Sequence, residues 1–104
     1  MKKSLFLTMC VILLLTFAGL AMAKGDIVAG KEKATSCAGC HGAHGEGMSP
    51  NPPIAGLDEA YFTKQLQDFK SGSRVNGMMT MFTKPLSNQD MENLAAYYFS
   101  LKVK

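Results

Sequence analysis

The chain has 104 residues, room for a single domain, and carries 11 Lys and Arg against 8 Asp and Glu, a formal net charge of +3. Two of those cations, Lys2 and Lys3, stand at the N-terminus; without them nine basic side chains face eight acidic ones, a net charge of +1. That balance, with no basic run anywhere, excludes a nucleic-acid-binding surface.

The opening stretch "MKKSLFLTMCVILLLTFAGLAMA" has a short basic start, an apolar run from Leu5 to Phe17, and the small-residue pattern Ala21-Met22-Ala23. This is the plan of a secretory signal peptide over residues 1–23, cut after Ala23, with the functional domain over residues 24–104. If uncut, the run would instead act as a membrane anchor, since its length approaches that needed to cross a bilayer. Cys10 lies inside the run and leaves with it. Of the three cysteines the mature chain keeps Cys37 and Cys40. A domain this small buries a modest core and often needs a disulfide, a metal or another staple. It has no Trp to fill its middle.

Three helices separated by Gly/Pro-rich loops are predicted, and signals for strands are poor, so the fold class is all-α. The first helix spans about Ile27 to Cys40 with Asp26 as its N-cap. The following "HGAHGEGMSPNPPIAGL" holds four glycines and three prolines, which no regular element tolerates. A second helix runs from about Glu59 to Ser71, capped by Asp58 and ended by Gly72, with Phe62, Leu66 and Phe69 on its inner face. The stretch "GSRVNGMMTMFTKP" reads as a second irregular loop. The last helix opens at "LSNQDMENLAAYYFSLK", where Ser87 and Asp90 stand in capping-box positions. Met91, Leu94, Ala95, Tyr98 and Leu101 share one stripe, so this helix is expected to be buried on one side only.

At the end of the first helix stands "SCAGCHG", with Cys37, Cys40 and His41. Cysteines at i and i+3 share a side of a helical turn. A redox disulfide needs a βαβ setting that is missing from the pattern. A structural zinc site needs four ligands, which Cys37, Cys40, His41 and His44 could supply only with adjacent residues aimed at one small ion. C-x-x-C-H is the signature of covalent haem attachment: two thiols add to the porphyrin vinyl groups, and His41 lies beneath the ring to bind iron. A large apolar disc would also serve as part of the core.

The ligand on the other face of the iron separates an electron carrier from a ligand-binding or catalytic haem protein. His44 is too near His41 in sequence to cross the ring and reads as a surface loop residue. Met91 belongs to the packing stripe of the last helix, and Met48 to the loop after His41. Met78, Met79 and Met81 remain, clustered far along the chain, and one of the three is expected to bind the iron. Their spacing leaves open which.

Taken in order, "AGKEKATSCAGCHG", "NPPIAGL", "YFTKQLQDFKSGSR", "MMTMFTKPLS" and "DMENLAAYYFSLK" give the whole mature chain a resemblance to class I c-type cytochromes. The match is to the small monohaem cytochrome c-553 group and to one half of a dihaem cytochrome c4. The resemblance implies a class I cytochrome c fold, three main helices around one covalently bound haem c. It places the axial methionine seven residues before the Leu86-Ser87 pair, at Met79, with Met78 and then Met81 as alternatives. It assigns Pro52 the backbone carbonyl that holds His41 through its second ring nitrogen. It also crosses the first and last helices at Gly30 and Tyr97, and brings Arg74 to a haem propionate. Leu57 and Phe82 depart from the family, whose members often have Gln and Met there.

The function so implied is one-electron transfer between redox proteins, such as a membrane cytochrome complex and a terminal oxidase or reductase, and not an enzyme activity. His/Met ligation keeps the iron six-coordinate and raises its potential. Lys31, Lys33 or Lys84 would supply local steering. The expected state is a periplasmic monomer, free of nucleic acid and, once the leader is cut, of the membrane. The alternatives are a haem-containing subunit of a larger enzyme, or a small haem enzyme or sensor with a displaceable sixth ligand.

Overall fold

Asp26, Asp58, Asn76 and Ser87 each start a helix by accepting hydrogen bonds that a helix end leaves open, and Gly42 and Gly72 each end one. The computed structural model describes residues 25–102, so the leader, its cleavage site and Cys10 lie outside the described residues. Five helices occur there: α1 (Ile27–Lys33), α2 (Thr35–His41), α3 (Glu59–Ser71), α4 (Gly77–Thr83) and α5 (Asn88–Ser100). None is long and apolar enough to cross a membrane. Among the described residues no strand forms, and one isolated bridge joins Met48 to Asn51.

The first predicted helix is two. Asp26 caps α1 as expected, its carboxylate accepting from Val28 N at 2.8 Å and Ala29 N at 3.3 Å. At buried Ala34 the winding tightens, because the Ala34 carbonyl accepts from both Cys37 N at 2.9 Å and Ala38 N at 3.1 Å. Thr35 Oγ1 donates to the Glu32 carbonyl at 3.0 Å and Ser36 Oγ to the Lys33 carbonyl at 3.2 Å, so hydroxyls cover the carbonyls around the break. The second half then runs on through His41 and stops at Gly42, whose φ is 93°.

α3 matches expectation at both ends and on its inner face. Asp58 accepts from Tyr61 N at 3.0 Å, Gly72 ends the helix in the left-handed region, and Phe62, Leu66 and Phe69 are buried. The stretch expected to be an irregular loop contains α4, a correction with a visible cause. Asn76 caps the helix by accepting from Met79 N at 3.0 Å, the methionines that follow are good helix formers, and Pro85 stands just beyond the end.

α5 begins with the anticipated capping box: Asp90 N donates to Ser87 Oγ at 3.0 Å, and Ser87 N to Asp90 Oδ2 at 2.9 Å. Its burial corrects the one-sided expectation. Met91, Leu94, Ala95 and Tyr98 are buried, but so are Asn93, Ala96 and Tyr97, because α1 packs on one side of α5 and α3 on another. The α1–α5 crossing is backbone against backbone at the residues expected to meet. A Cβ on Gly30 would overlap the Asn93 main-chain carbonyl and come within 2.8 Å of Tyr97 Cβ. Asn93 Oδ1 accepts from Asp26 N at 2.8 Å and from Gln89 Nε2 at 2.9 Å, pinning the start of α1 to this crossing.

The chain between α2 and α3 is irregular yet fully engaged. Gly47 N donates to the His41 carbonyl at 2.7 Å, Ile54 N and Ala55 N to the Gly45 carbonyl at 2.8 and 3.0 Å, and Gly56 N to the Tyr98 carbonyl at 2.8 Å. Gly45 has φ 69° and lies so close to Tyr98 that a Cβ would sit 2.8 Å from its ring. Only glycine meets both demands. Tyr98, 1% exposed, is stacked on Phe62 with ring centroids 5.5 Å apart. The loop, α3 and α5 therefore share one core.

Candidate functional site

A cavity of about 690 Å³ opens between α2, the Gly/Pro loop, α3 and α4, within the ~300–1,000 Å³ typical of small-molecule and cofactor sites. Its walls are mostly apolar, built from Ile54, Leu57, Phe62, Leu66, Phe69 and Leu86 among others. The last turn of α2 brings Cys37, Cys40 and His41 to it, and the chain beyond brings Pro52. α4 contributes Met78, Met79 and Phe82, and Arg74 stands just ahead of that helix.

His41 is 8% exposed. Its Nδ1 lies 2.8 Å from the Pro52 carbonyl oxygen. A carbonyl can only accept, so Nδ1 carries the proton and Nε2 keeps its lone pair for a metal. Cys37 is half-buried and Cys40 exposed. Burial pushes the Cys37 thiol up. Burial also pushes the Tyr98 phenol up. Beside the turn, Glu46 Oε2 accepts from His44 N at 2.7 Å. The Glu46 and His44 backbone N–H groups hold that carboxyl below the usual carboxylate range.

Of the three clustered methionines, Met79 is half-buried and packs against the core, Met78 is exposed but borders the cavity, and Met81 is exposed and does not border it. Met91 is fully buried in the core and Met48 is exposed, as their packing and loop readings require. His44 is exposed and outside the cavity. Among the described residues no three His, Cys, Asp or Glu side chains gather into a metal-holding cluster. Arg74 Nη1 donates to Gln65 Oε1 at 2.7 Å, and its guanidinium lies 4.6 Å from the Phe69 ring centroid, so the cation is held ready at the cavity. Leu57, where the family often has Gln, packs on the core.

The pattern also hid several supports. Thr83 Oγ1 donates to the Met79 carbonyl at 2.8 Å, and Thr80 Oγ1 donates to the Phe69 carbonyl at 3.0 Å. Lys70 Nζ donates to the Leu86 carbonyl. Once the Met stretch is seen as a helix, Asn76 ahead of it and Pro85 behind it are its sequence signal.

A mostly apolar cavity with two thiols and one tautomer-fixed imidazole on a single helical turn suits a flat prosthetic group bonded at its edge and ligated at its metal. It defines a helical protein of the haem-attaching class. The comparisons carry this further: residues 27–102 match the family described as Cytochrome c. The chain belongs to the cytochrome c family, with the class I all-α fold, and its cofactor is covalently attached haem c. Cytochrome c4 from Pseudomonas aeruginosa is 44% identical over 98 residues, covering 93% of this chain and 49% of the relative. A thiosulfate dehydrogenase electron acceptor from Thiomonas intermedia is 44% identical over 72 residues, 67% of this chain and 33% of that protein. The crystal structure of reduced recombinant cytochrome c4 from Pseudomonas stutzeri superposes with a TM-score of 0.70 at 43% identity, covering 75% of this chain and 46% of that one. The chain thus spans about half the length of the cytochrome c4 relatives it matches, and one half of a dihaem cytochrome c4 fits it.

Proposed function

We propose that this chain is a periplasmic one-electron carrier in which Cys37 and Cys40 hold haem c by thioether bonds and His41 and Met79 ligate its iron. When bound, haem c supplies reversible one-electron chemistry at iron. The protein's share is positional. The Pro52 carbonyl, 2.8 Å from His41 Nδ1, fixes the tautomer and plane of the imidazole and raises its basicity as a ligand. Met79 would supply the second protein ligand to the iron, which would leave no site open for substrate, and a thioether there would raise the potential. Arg74, already oriented by Gln65 and Phe69, would meet a propionate and offset its charge. Leu57, Phe62, Leu66 and Phe69 keep water from the ring and so lower the reorganisation that accompanies charge transfer.

The observation that carries this reading is that one cavity gathers Cys37, Cys40, His41 and Met79, four residues spread over 43 positions, while Met81 stands outside it. Export by residues 1–23 fits the reading, because haem is attached covalently outside the bacterial cytoplasmic membrane. The partners are redox proteins. The relative named as an electron acceptor of thiosulfate dehydrogenase supports that class of donor. Steering would come from local cations: Lys31 and Lys84 are exposed, while Lys33 lies 3.7 Å from Asp90.

Intact mass and absorption spectra of the protein matured in cells competent for haem attachment test the proposal. Expected are a mass of the chain from Lys24 plus one haem, low-spin iron in both oxidation states, and a methionine–iron charge-transfer band when oxidised. High-spin iron that binds cyanide rapidly would overturn the carrier in favour of an enzyme or sensor. A colourless protein would overturn the site itself.

A further inference from the structure

Among the clustered methionines, Met79 differs in how its backbone is held. Its N–H donates to Asn76 Oδ1 at 3.0 Å, and its carbonyl accepts from Thr83 Oγ1 at 2.8 Å. No side chain among the described residues bonds the backbone of Met78 or Met81. Asn76 has the extended backbone of an N-cap, with ψ 114°, while buried Thr83 is anchored within the same helix. α4 has seven residues, and a helix that short does not persist without outside support. Its first turn, the part that carries Met79, depends on the Asn76 cap. Its far end is secured separately, through Thr80 Oγ1 to the Phe69 carbonyl of α3 at 3.0 Å.

We propose that Asn76 is the positioning residue of the distal iron ligand: its cap on Met79 N keeps the first turn of α4 closed and so limits how often the Met79 sulfur leaves the iron. This rests on Met79 being that ligand. Asn76 itself is exposed and touches the backbone, not the sulfur, so it acts through the helix. Loss of an N-cap side chain shifts a local helix equilibrium by about fivefold toward the open form.

The test uses the oxidised holoprotein and imidazole, an external ligand that enters the sixth position only when the methionine has left. Asn76→Ala is expected to raise the apparent imidazole affinity by about fivefold, read as loss of the methionine–iron charge-transfer band. Asn76→Asp keeps an oxygen acceptor at the cap and restores the parent affinity to within about twofold. Asn76→Gln, which moves the amide oxygen one methylene away, shifts affinity in the same direction as Ala and serves if Asn76→Ala accumulates poorly. In a Met79→Ala background, where imidazole binding is followed by the Soret shift because the charge-transfer band is already lost, Asn76→Ala leaves imidazole affinity unchanged, because no methionine remains to be held. An unchanged affinity in Asn76→Ala, failure of Asp to restore it, or an equal gain in the Met79→Ala background would each overturn the proposal. If Met79→Ala alone retains the charge-transfer band, the ligand assignment has failed, an outcome distinct from the other three.

Discussion

The two walls of the cavity that bear candidate iron ligands are held by different kinds of force. On one, Cys37, Cys40 and His41 sit on a single turn of α2, and the Pro52 carbonyl that orients the imidazole is eleven residues away. The loop between them is secured by backbone bonds such as Gly47 N to the His41 carbonyl at 2.7 Å. On the other wall, Met79 rides a helix that exists because Asn76 caps it and Thr80 ties it to α3. The first wall is closed by several bonds within one loop, which α5 also holds through the bond of Gly56 N to the Tyr98 carbonyl. The second is one seven-residue helix, and Met79 is as secure as that helix. On the proposed ligation, the thioether side is expected to open before the imidazole side under stress.

The largest effect expected is on the first wall. Replacing Cys37 and Cys40 together by Ser removes both covalent bonds, and intact mass should show no haem on the chain. Met79→Ala is the matching break in the second wall. Haem remains covalently attached, the charge-transfer band is lost, the reduction potential falls, and cyanide binds readily. Met81→Ala, at an exposed position beyond the cavity, leaves the band in place. Loss of covalent haem in Met79→Ala would show that the two walls do not form independently.

The same division decides what could be read from sequence. Cys37, Cys40 and His41 declare their chemistry by spacing, and the caps Asp26, Asp58 and Ser87 stand where the pattern puts them, because each acts within a few residues. The Met stretch misled because Asn76 alone among its flanking residues is a helix-start signal, and two glycines and Pro85 around it suggest a loop. Beyond that cap, the helix is tied to α3 by the bond of Thr80 to Phe69, eleven residues back, which no periodicity encodes. The break at Ala34 was invisible for a related reason: alanine favours helix, and the tightening shows only in the bonds from Cys37 and Ala38 to one carbonyl. The double-sided burial of α5 likewise needs α1 to be placed. Only then does Asn93, a polar residue on the outer side of the stripe, become a buried anchor for Asp26.

Next in size is a change that bypasses both walls. Gly30→Ala puts a methyl into the Asn93 main-chain carbonyl, which cannot swing aside as a side chain would. α1 must move off α5, at a cost of about 2–3 kcal/mol, a fall of ~10–20 °C in the thermal midpoint. The ligands are untouched, so the low-temperature spectrum should match that of the parent while the melt shifts. An altered methionine band at low temperature would mean that the α1–α5 crossing sets the position of α4 as well.

The smallest effect concerns the cap of α5. The Ser87 N–H donates to Asp90 Oδ2 at 2.9 Å and holds that carboxyl below the usual carboxylate range, with burial working against it and Lys33 adding a smaller pull. A depressed carboxyl stabilises the fold above its ordinary value of about 4, and that contribution disappears as pH falls through the lower, folded value. Asp90→Asn removes the charge but not the oxygen. The variant should therefore be less stable than the parent near pH 7 and converge on it in acid, with a difference at neutral pH of at most about 1 kcal/mol. Part of that difference should vanish in high salt, since the Lys33 pair at 3.7 Å is exposed to screening. Thermal melts of parent and variant across the acid range measure it. A gap that persists at low pH would assign Asp90 to the packing of α5 and not to its cap. The charge-transfer band serves as the internal control, because this capping box bonds neither the Cys37–His41 turn nor the side chains that close α4.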